Sequence, residues 1–287
     1  MTSKLLLGAV MGLAAIHLGC DDFDIGGERR EAPFHYSFDM RPGARLEVEG
    51  FNGSVEIQSW DQNKADISGA KYGNSDAALD AIRIDARQTP DGVMVRAVRA
   101  SGFRGNLGTK FVIQVPRNTR LDRIVTSNGG IRIENTEGPV VARTSNGGVR
   151  LAGVHGDVDV TTSNGGVDVD GATGRAVLNT SNAHIQVARL SGPVHAQTSN
   201  GSVTLEFDST PKDDVRADTS NASITIRMPG DAAVRLRAST SNASINTDFD
   251  VTARGEISKT RLEGTINGSG PLMELTTSNG GIHIERR

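Results

Sequence analysis

The sequence predicts an all-β protein, a single-stranded parallel β-helix of 18–21-residue coils with a β cap at its N-terminal end. Three observations predict it. The tripeptide Thr-Ser-Asn keeps returning, with its asparagine at Asn128, Asn146, Asn164, Asn182, Asn200, Asn221, Asn242 and Asn279. The first four intervals are 18 residues each, the next two are 21, and the last is 37. Inside each interval apolar and polar residues alternate in two short runs, the period-2 signal of strands with one buried face. Aromatic content is 4% and glycine stands at 34 of 287 residues, which suits a thin aliphatic core with many corners.

With Thr as the first residue of a coil, the sixth and eighth residues are apolar. They are Ile131 and Ile133, Val149 and Leu151, Val167 and Val169, and Ile185 and Val187, and so on upward. The fifteenth and seventeenth are apolar or small, as in Val140 and Ala142 or Val158 and Val160. The thirteenth is Gly138, Gly156, Gly174 or Gly192. Runs this short and this punctuated by glycine do not fit helices. Each coil therefore has two short strands, one corner at Ser-Asn-Gly-Gly and another near the thirteenth-residue glycine. The corner asparagine is expected in left-handed backbone angles, and glycine adopts them at no steric cost. Stacked asparagine amides are expected to hydrogen-bond along the axis as ladders do in cross-β stacks. On this reading Asn279 belongs to the end coil and has a neighbour on one side only. The left-handed hexapeptide helix needs an aliphatic residue at every sixth position. Leu151, Asp157 and Ser163 break that frame, so the right-handed form is expected.

The elements follow in order. Residues 1–19 read as an export signal: Lys4 precedes an apolar run, Leu5–Ile16, too short to span a bilayer as a mature helix. The chain's one cysteine, Cys20, follows directly in His-Leu-Gly-Cys. This resembles the lipobox of bacterial lipoproteins, in which the cysteine is lipidated and becomes the new N-terminus. Residues 20–32 are polar and form a tether. Residues 33–125 read as an N-terminal cap with degenerate coils, and 126–287 as regular coils, together one continuous domain over 33–287. In the cap, Phe34–Met40 alternates as a strand over the open end of the solenoid. Asn52-Gly53-Ser54-Val55-Glu56-Ile57 echoes the later corner, with Ala65-Asp66-Ile67 as that coil's second strand. Trp60 beside it reads as a core or cap residue. Ser75 caps a short helix. Pro90-Asp91-Gly92 turns between two strands, and Phe111–Pro116 is a buried strand. Gly102, Gly105 and Gly108 lack the Gly-Lys-Ser/Thr that a phosphate loop needs and read as a plain loop. Beyond Asp248 comes an excursion, then a final corner and strand, Thr277–Ile284.

Repeated Thr-Ser-Asn-Gly coils are accompanied by an early N-G-x-V-x-I-x-x-W-D segment, a V-P strand end, and a late L-x-G-x-I-x-G-x-G stretch. Together they resemble the bacterial "putative adhesin" domain over about residues 34–287. The resemblance implies an exported or membrane-attached adhesin-like solenoid, and it brings no catalytic residues with it.

Chemistry is sparse. Net charge is −3 with dispersed Lys and Arg, so no nucleic-acid face is expected. The best carboxylate cluster is Asp157, Asp159, Asp168 and Asp170, two pairs on two different sheets, a poor match to the six to eight converging oxygens calcium wants. No metal, cofactor or catalytic residue is expected. Two functions are consistent with these features. One is a non-catalytic, lipid-anchored envelope protein, periplasmic or at the cell surface, whose solenoid binds an envelope protein or a glycan. The alternative is a polysaccharide lyase or glycoside hydrolase of the β-helix type. Sugar cleavage needs paired carboxylates or a lyase base, and stacking aromatics. Only Phe207 is aromatic between Thr126 and Asn246, which favours the non-enzymatic reading.

Overall fold

A computed structural model describes residues 29–103, 105–253 and 258–287 of the chain. The expected signal (1–19), Cys20 and most of the tether lie outside the described residues. The rest is an all-β solenoid of two facing sheets, one of 12 strands and one of 13. Each coil gives one parallel strand to each sheet, and the two strands meet at the Thr-Ser-Asn corner. Inward residues pair in strict register from coil to coil. Ile131, Val149, Val167, Ile185, Val203, Ile224 and Ile282 form one column in the first sheet. Ala142, Val160, Leu178, Ala196, Ala217 and Leu275 form another in the second sheet. All are buried. Along these columns small alanines and larger aliphatic residues fill a thin core, and the buried aromatics, Phe111, Phe207 and Phe249, lie outside them.

All three residues of the corner have a task. The threonines are buried. Thr162 Oγ1 donates to the Gly147 carbonyl of the preceding coil (3.1 Å) and accepts from the Gly165 N–H of its own (3.3 Å). Thr144, Thr198 and Thr277 repeat both bonds. The serine carbonyl is shared: Ser145 O accepts from both Ser163 N (3.1 Å) and Asn164 N (3.0 Å). The asparagines form a one-directional ladder, each Nδ2 donating to the Oδ1 of the preceding rung at 2.5–2.8 Å from Asn146 onward. The ladder starts one rung earlier than the repeat, because Asn128 donates to Asn52. Buried backbone groups at a bend need partners, and the tripeptide supplies them.

The expected backbone angles are corrected. Of the ladder asparagines, only Asn52 has positive φ (49°). The left-handed position is the tenth residue of a coil, occupied by Asn135, Gly153, Gly171 and Arg189 (φ 57°, 62°, 76° and 54°). Glycine follows asparagine for a different reason. A Cβ on Gly147 would sit 1.8 Å from the Gly129 carbonyl oxygen of the coil below. Close approach of stacked backbones, and not torsional freedom, selects glycine there.

The order of coils departs from the order of the chain at both ends. At the N-terminal end the strands Arg45–Glu49 and Val55–Trp60 do not stand outermost. They are inserted between the coil Gly92–Arg99/Leu107–Pro116 and the coil Arg120–Val125/Ile131–Glu134. The C-terminal end does the same in reverse. The last strands, Leu272–Thr276 and Ile282–Arg286, slot between Val215–Asp218/Ile224–Met228 and Val234–Ser239/Ile245–Thr247. Asn279 therefore has neighbours on both sides, donating to Asn221 (2.8 Å) and accepting from Asn242 (2.7 Å). Asn242 is the true end of the ladder, which corrects the expectation for Asn279.

Antiparallel strands close three of the four sheet ends, protecting edges that would otherwise stand open, and the fourth is the short parallel strand Ile245–Thr247. Arg30–Asp39 pairs with Lys64–Gly73, which pairs with Leu107–Pro116. The segment around Ala65-Asp66-Ile67 is thus a returning cap strand and not the second strand of the first coil. Ile82–Thr89 folds back on Gly92–Arg99 through the expected Pro90-Asp91-Gly92 turn. Phe34 seals the core edge-on against Phe111, with ring centroids 5.5 Å apart. The helix Asp76–Asp80 is capped by Ser75, whose Oγ accepts from Ala78 N (3.2 Å). At the other end the excursion after Asp248 supplies Arg261–Ile266, antiparallel to Val234–Ser239, and Val251–Ala253, antiparallel to Arg261–Ile266 on its outer side.

The ladder order makes a test. Asn164→Ala and Asn279→Ala each remove two exposed amide bonds and should cost alike, about 1–3 kcal/mol from roughly 0.5–1.5 per bond. Asn242→Ala removes one and should cost about half as much. Denaturant midpoints of the three variants check this. A cost at Asn279 that matched Asn242 instead of Asn164 would contradict the inserted last coil.

Candidate functional site

The exposed surface of the solenoid is the place to look for a site, because its interior is filled. Two exposed columns run along the corner: the serines from Ser127 to Ser278 and the asparagines of the ladder. Strand stacking spaces successive members by about 4.8 Å. The result is an uncharged polar ridge of hydroxyls and amides. Its amides are mutually hydrogen-bonded, so the ridge is stiff.

The outward faces of the strands carry charge, arranged in matched rungs. Arg227 sits between Glu206 (2.9 Å) and Glu285 (2.9 Å) on the two flanking coils. Those hydrogen bonds raise its pKa further above the ordinary range. Arg216 bridges Asp218 (2.7 Å) and Glu274 (3.2 Å), and Arg237 also reaches Glu274 at 3.7 Å. At the first sheet's margin the Arg117 guanidinium hydrogen-bonds Asp61 and holds its carboxyl below the usual carboxylate range.

The four candidate carboxylates are split between the sheets. Asp168 and Asp170 lie on Val167–Ala172 of the first sheet, and Asp159 lies on Val158–Thr161 of the second. Each is engaged separately. Asp168 meets Arg150 (3.4 Å) and His184 (3.1 Å), Asp170 meets Arg189 (2.6 Å), and Asp159 meets Arg143 (3.4 Å). Asp157 accepts from the Arg175 N–H at 3.0 Å. Among the described residues no group of three or more His, Cys, Asp or Glu is placed to hold a metal ion. His35 and His195 likewise each face one aspartate, Asp66 at 2.7 Å and Asp218 at 3.5 Å.

Two shallow clefts break the N-terminal end. The larger, ≈ 750 Å³, lies between the Arg41-Pro42-Gly43 turn and the Pro90-Asp91-Gly92 turn. The smaller, ≈ 320 Å³, lies on the first sheet around Val112, whose side chain is the exposed large apolar one among the described residues. Trp60 lines neither. It is half-buried, and its indole N–H donates to the Lys64 carbonyl (3.0 Å), closing the turn into the cap. Phe207 is buried and offers no stacking platform.

The residues that sequence reasoning missed are the buried threonines. Their signal was present, since Thr opens every repeat, but a hydroxyl two residues before an exposed asparagine reads as surface until burial is known. The rungs give a test of the charged face. Arg227→Gln breaks a two-sided network and should cost about 1 kcal/mol, whereas Arg150→Gln breaks one exposed pair and should cost roughly 0–0.5. Urea midpoints of the two variants separate these, and equal losses would remove the network argument.

Comparison with known proteins follows from this geometry. No curated protein matches the chain. Among solved structures, a "putative adhesin" from Bacteroides fragilis is 12% identical, with 88% of this chain and 97% of that one covered, at a TM-score of 0.46. One from Parabacteroides merdae is 10% identical, with 90% and 97% covered, at 0.42. A "putative cell adhesion protein" from Clostridium sporogenes is 14% identical, with 89% and 100% covered, at 0.29. The Toastrack DUF4097 family matches residues 44–285, nearly the whole of the solenoid from its first inserted strand to its last. The chain belongs to the Toastrack DUF4097 family.

Proposed function

We propose that this protein is a non-catalytic, lipid-anchored component of the bacterial cell envelope, with the solenoid serving as a binding or structural surface. The observation that carries this is the state of the acids. Every carboxylate of the candidate cluster is separately engaged by a guanidinium, an imidazole or a backbone N–H. An acid held in an ion pair with a cation is poorly placed to donate a proton to a glycosidic oxygen, and glycosidases need two acids on one face. What the surface offers instead is length, stiffness and regular polar spacing. A stack that resists bending presents the same face along its whole axis, so weak contacts to an extended partner add without further ordering of the chain.

Anchoring rests on Cys20, placed directly after the apolar signal core. A diacylated cysteine supplies the two chains that stable membrane attachment takes. Cells fed a clickable fatty acid should label the wild-type protein and leave Cys20→Ala unlabelled. Equal labelling of the two, or a wild type recovered entirely in the soluble fraction, would refute the anchor.

The non-catalytic reading has its own test. Incubation of the mature protein with acidic and neutral polysaccharides should release no reducing ends and no unsaturated products. Turnover that Asp168→Asn or Asp170→Asn abolishes would establish the lyase or hydrolase instead.

A further inference from the structure

The sequence contains seven Asn-Gly pairs: 52–53, 128–129, 146–147, 164–165, 200–201, 267–268 and 279–280. Asn-Gly is the dipeptide most exposed to spontaneous deamidation, because glycine has no side chain to hinder attack by its own backbone nitrogen. The Gly165 nitrogen loses its proton to hydroxide and attacks Asn164 Cγ. The N–Cγ bond forms, the Cγ–Nδ2 bond breaks, and Nδ2 takes a proton from water and leaves as ammonia. The cyclic imide then adds water and opens to aspartate or isoaspartate. A repeat protein with this motif at most of its corners carries the same liability many times over.

The corner geometry opposes each part of that step. Asn164 Nδ2 donates to Asn146 Oδ1 (2.6 Å), and its Oδ1 accepts from Asn182 Nδ2 (2.6 Å), so the side-chain amide is pinned along the axis at both ends. The attacking nitrogen is also engaged: Gly165 N–H donates to the buried Thr162 Oγ1 at 3.3 Å. Thr162 is itself fixed by its bond to the Gly147 carbonyl (3.1 Å). The glycine nitrogens of the 146–147, 200–201 and 279–280 pairs have the same threonine partner, Thr144, Thr198 and Thr277. The Asn267-Gly268 pair stands outside the ladder: Asn267 Nδ2 donates to the Gly230 (2.9 Å) and Ala232 (3.0 Å) carbonyls, but no threonine hydroxyl among the described residues holds the Gly268 N–H. It sits on an exposed turn with both residues at positive φ (51° and 106°), and a Cβ on Gly268 would meet nothing within 4 Å.

We propose that Thr-Ser-Asn-Gly is a guarded deamidation site. The amide ladder and the threonine hydroxyl hold Asn146, Asn164, Asn200 and Asn279 intact while the chain is folded. Asn267 is the position that ages in the native protein, and unfolding releases the other four to the same reaction. The damage then propagates along the stack. An aspartate at 164 still accepts from Asn182 but faces the Asn146 oxygen with no donor, so one event breaks a rung. A chain that has been unfolded for long therefore cannot rebuild the ladder, and unfolding becomes irreversible by covalent change.

Incubation of the mature chain at mildly alkaline pH, folded and in concentrated urea, tests this by peptide mapping with mass spectrometry. In urea the asparagines of all seven pairs should convert at comparable rates. In the folded protein Asn267 should convert several-fold faster than Asn146, Asn164, Asn200 and Asn279. Thr162→Val should raise conversion of Asn164 several-fold in the folded state and leave Asn200, two coils away, unchanged. The proposal is overturned if the four guarded positions convert as fast folded as in urea, or if a folded Thr162→Val leaves Asn164 unaffected. Should Thr162→Val fail to fold, the wild-type rank order alone decides, since Asn267 must still lead.

Discussion

The structure depends on how one corner backbone meets the next. Parallel strands stack at about 4.8 Å, and within the inner strands the sheet ladder pairs the backbone N–H and C=O groups with both neighbours. At the bend it does not, and the groups turned inward there have no water to bond. A buried polar group without a partner costs about 1–3 kcal/mol, repeated at every coil. The threonine hydroxyl, which donates to one coil and accepts from the other, removes that cost twice per corner. The shared serine carbonyl takes up two further N–H groups. Once the corner is satisfied, register is set, and the aliphatic columns and charge rungs fall into line behind it.

Several features are consequences of that closeness. Glycine after asparagine answers the approach of the neighbouring carbonyl, and Ala183 and Ala222 show that a methyl group is accommodated in some coils. Ion pairs such as Glu206–Arg227–Glu285 link residues of adjacent coils that the corner has already brought opposite each other. They add charge order to a register they did not create. The same closeness pins each inner asparagine amide between its two neighbours.

The ends obey a different constraint. A solenoid cut across its axis exposes open strand edges and the tops of its apolar columns. Here antiparallel strands cover both ends of the 13-stranded sheet and the N-terminal end of the other, whose far edge is the short parallel strand Ile245–Thr247, and the first and last coils of the chain are tucked one place inward. A coil with neighbours on both sides has partners along both of its edges. The two clefts lie at the capped N-terminal end, where this regularity breaks, and not along the regular coils.

The sequence by itself determined the unit of this protein. Period, strand positions, inward pairs such as Val167 and Val169, the capped helix after Ser75 and the Pro-Asp-Gly turn are local matters of side-chain alternation and turn chemistry, so they could be read directly. The separation of Asp159 from Asp168 onto different sheets followed from the same period. Tertiary structure decided the rest. A repeat specifies what a coil stacks against only as another coil of the same kind, and the 37-residue interval before Asn279 fits an end coil as well as an inserted one. The choice is made by edge pairing between segments far apart in the chain, such as Ile224–Met228 with Ile282–Arg286. In the same way, Thr162 and Asn164 look equally polar in sequence. Only the path of the bend sends the Thr162 hydroxyl into the core and leaves Ser163 and Asn164 both exposed, because the chain turns at the corner and departs there from the alternation of a strand.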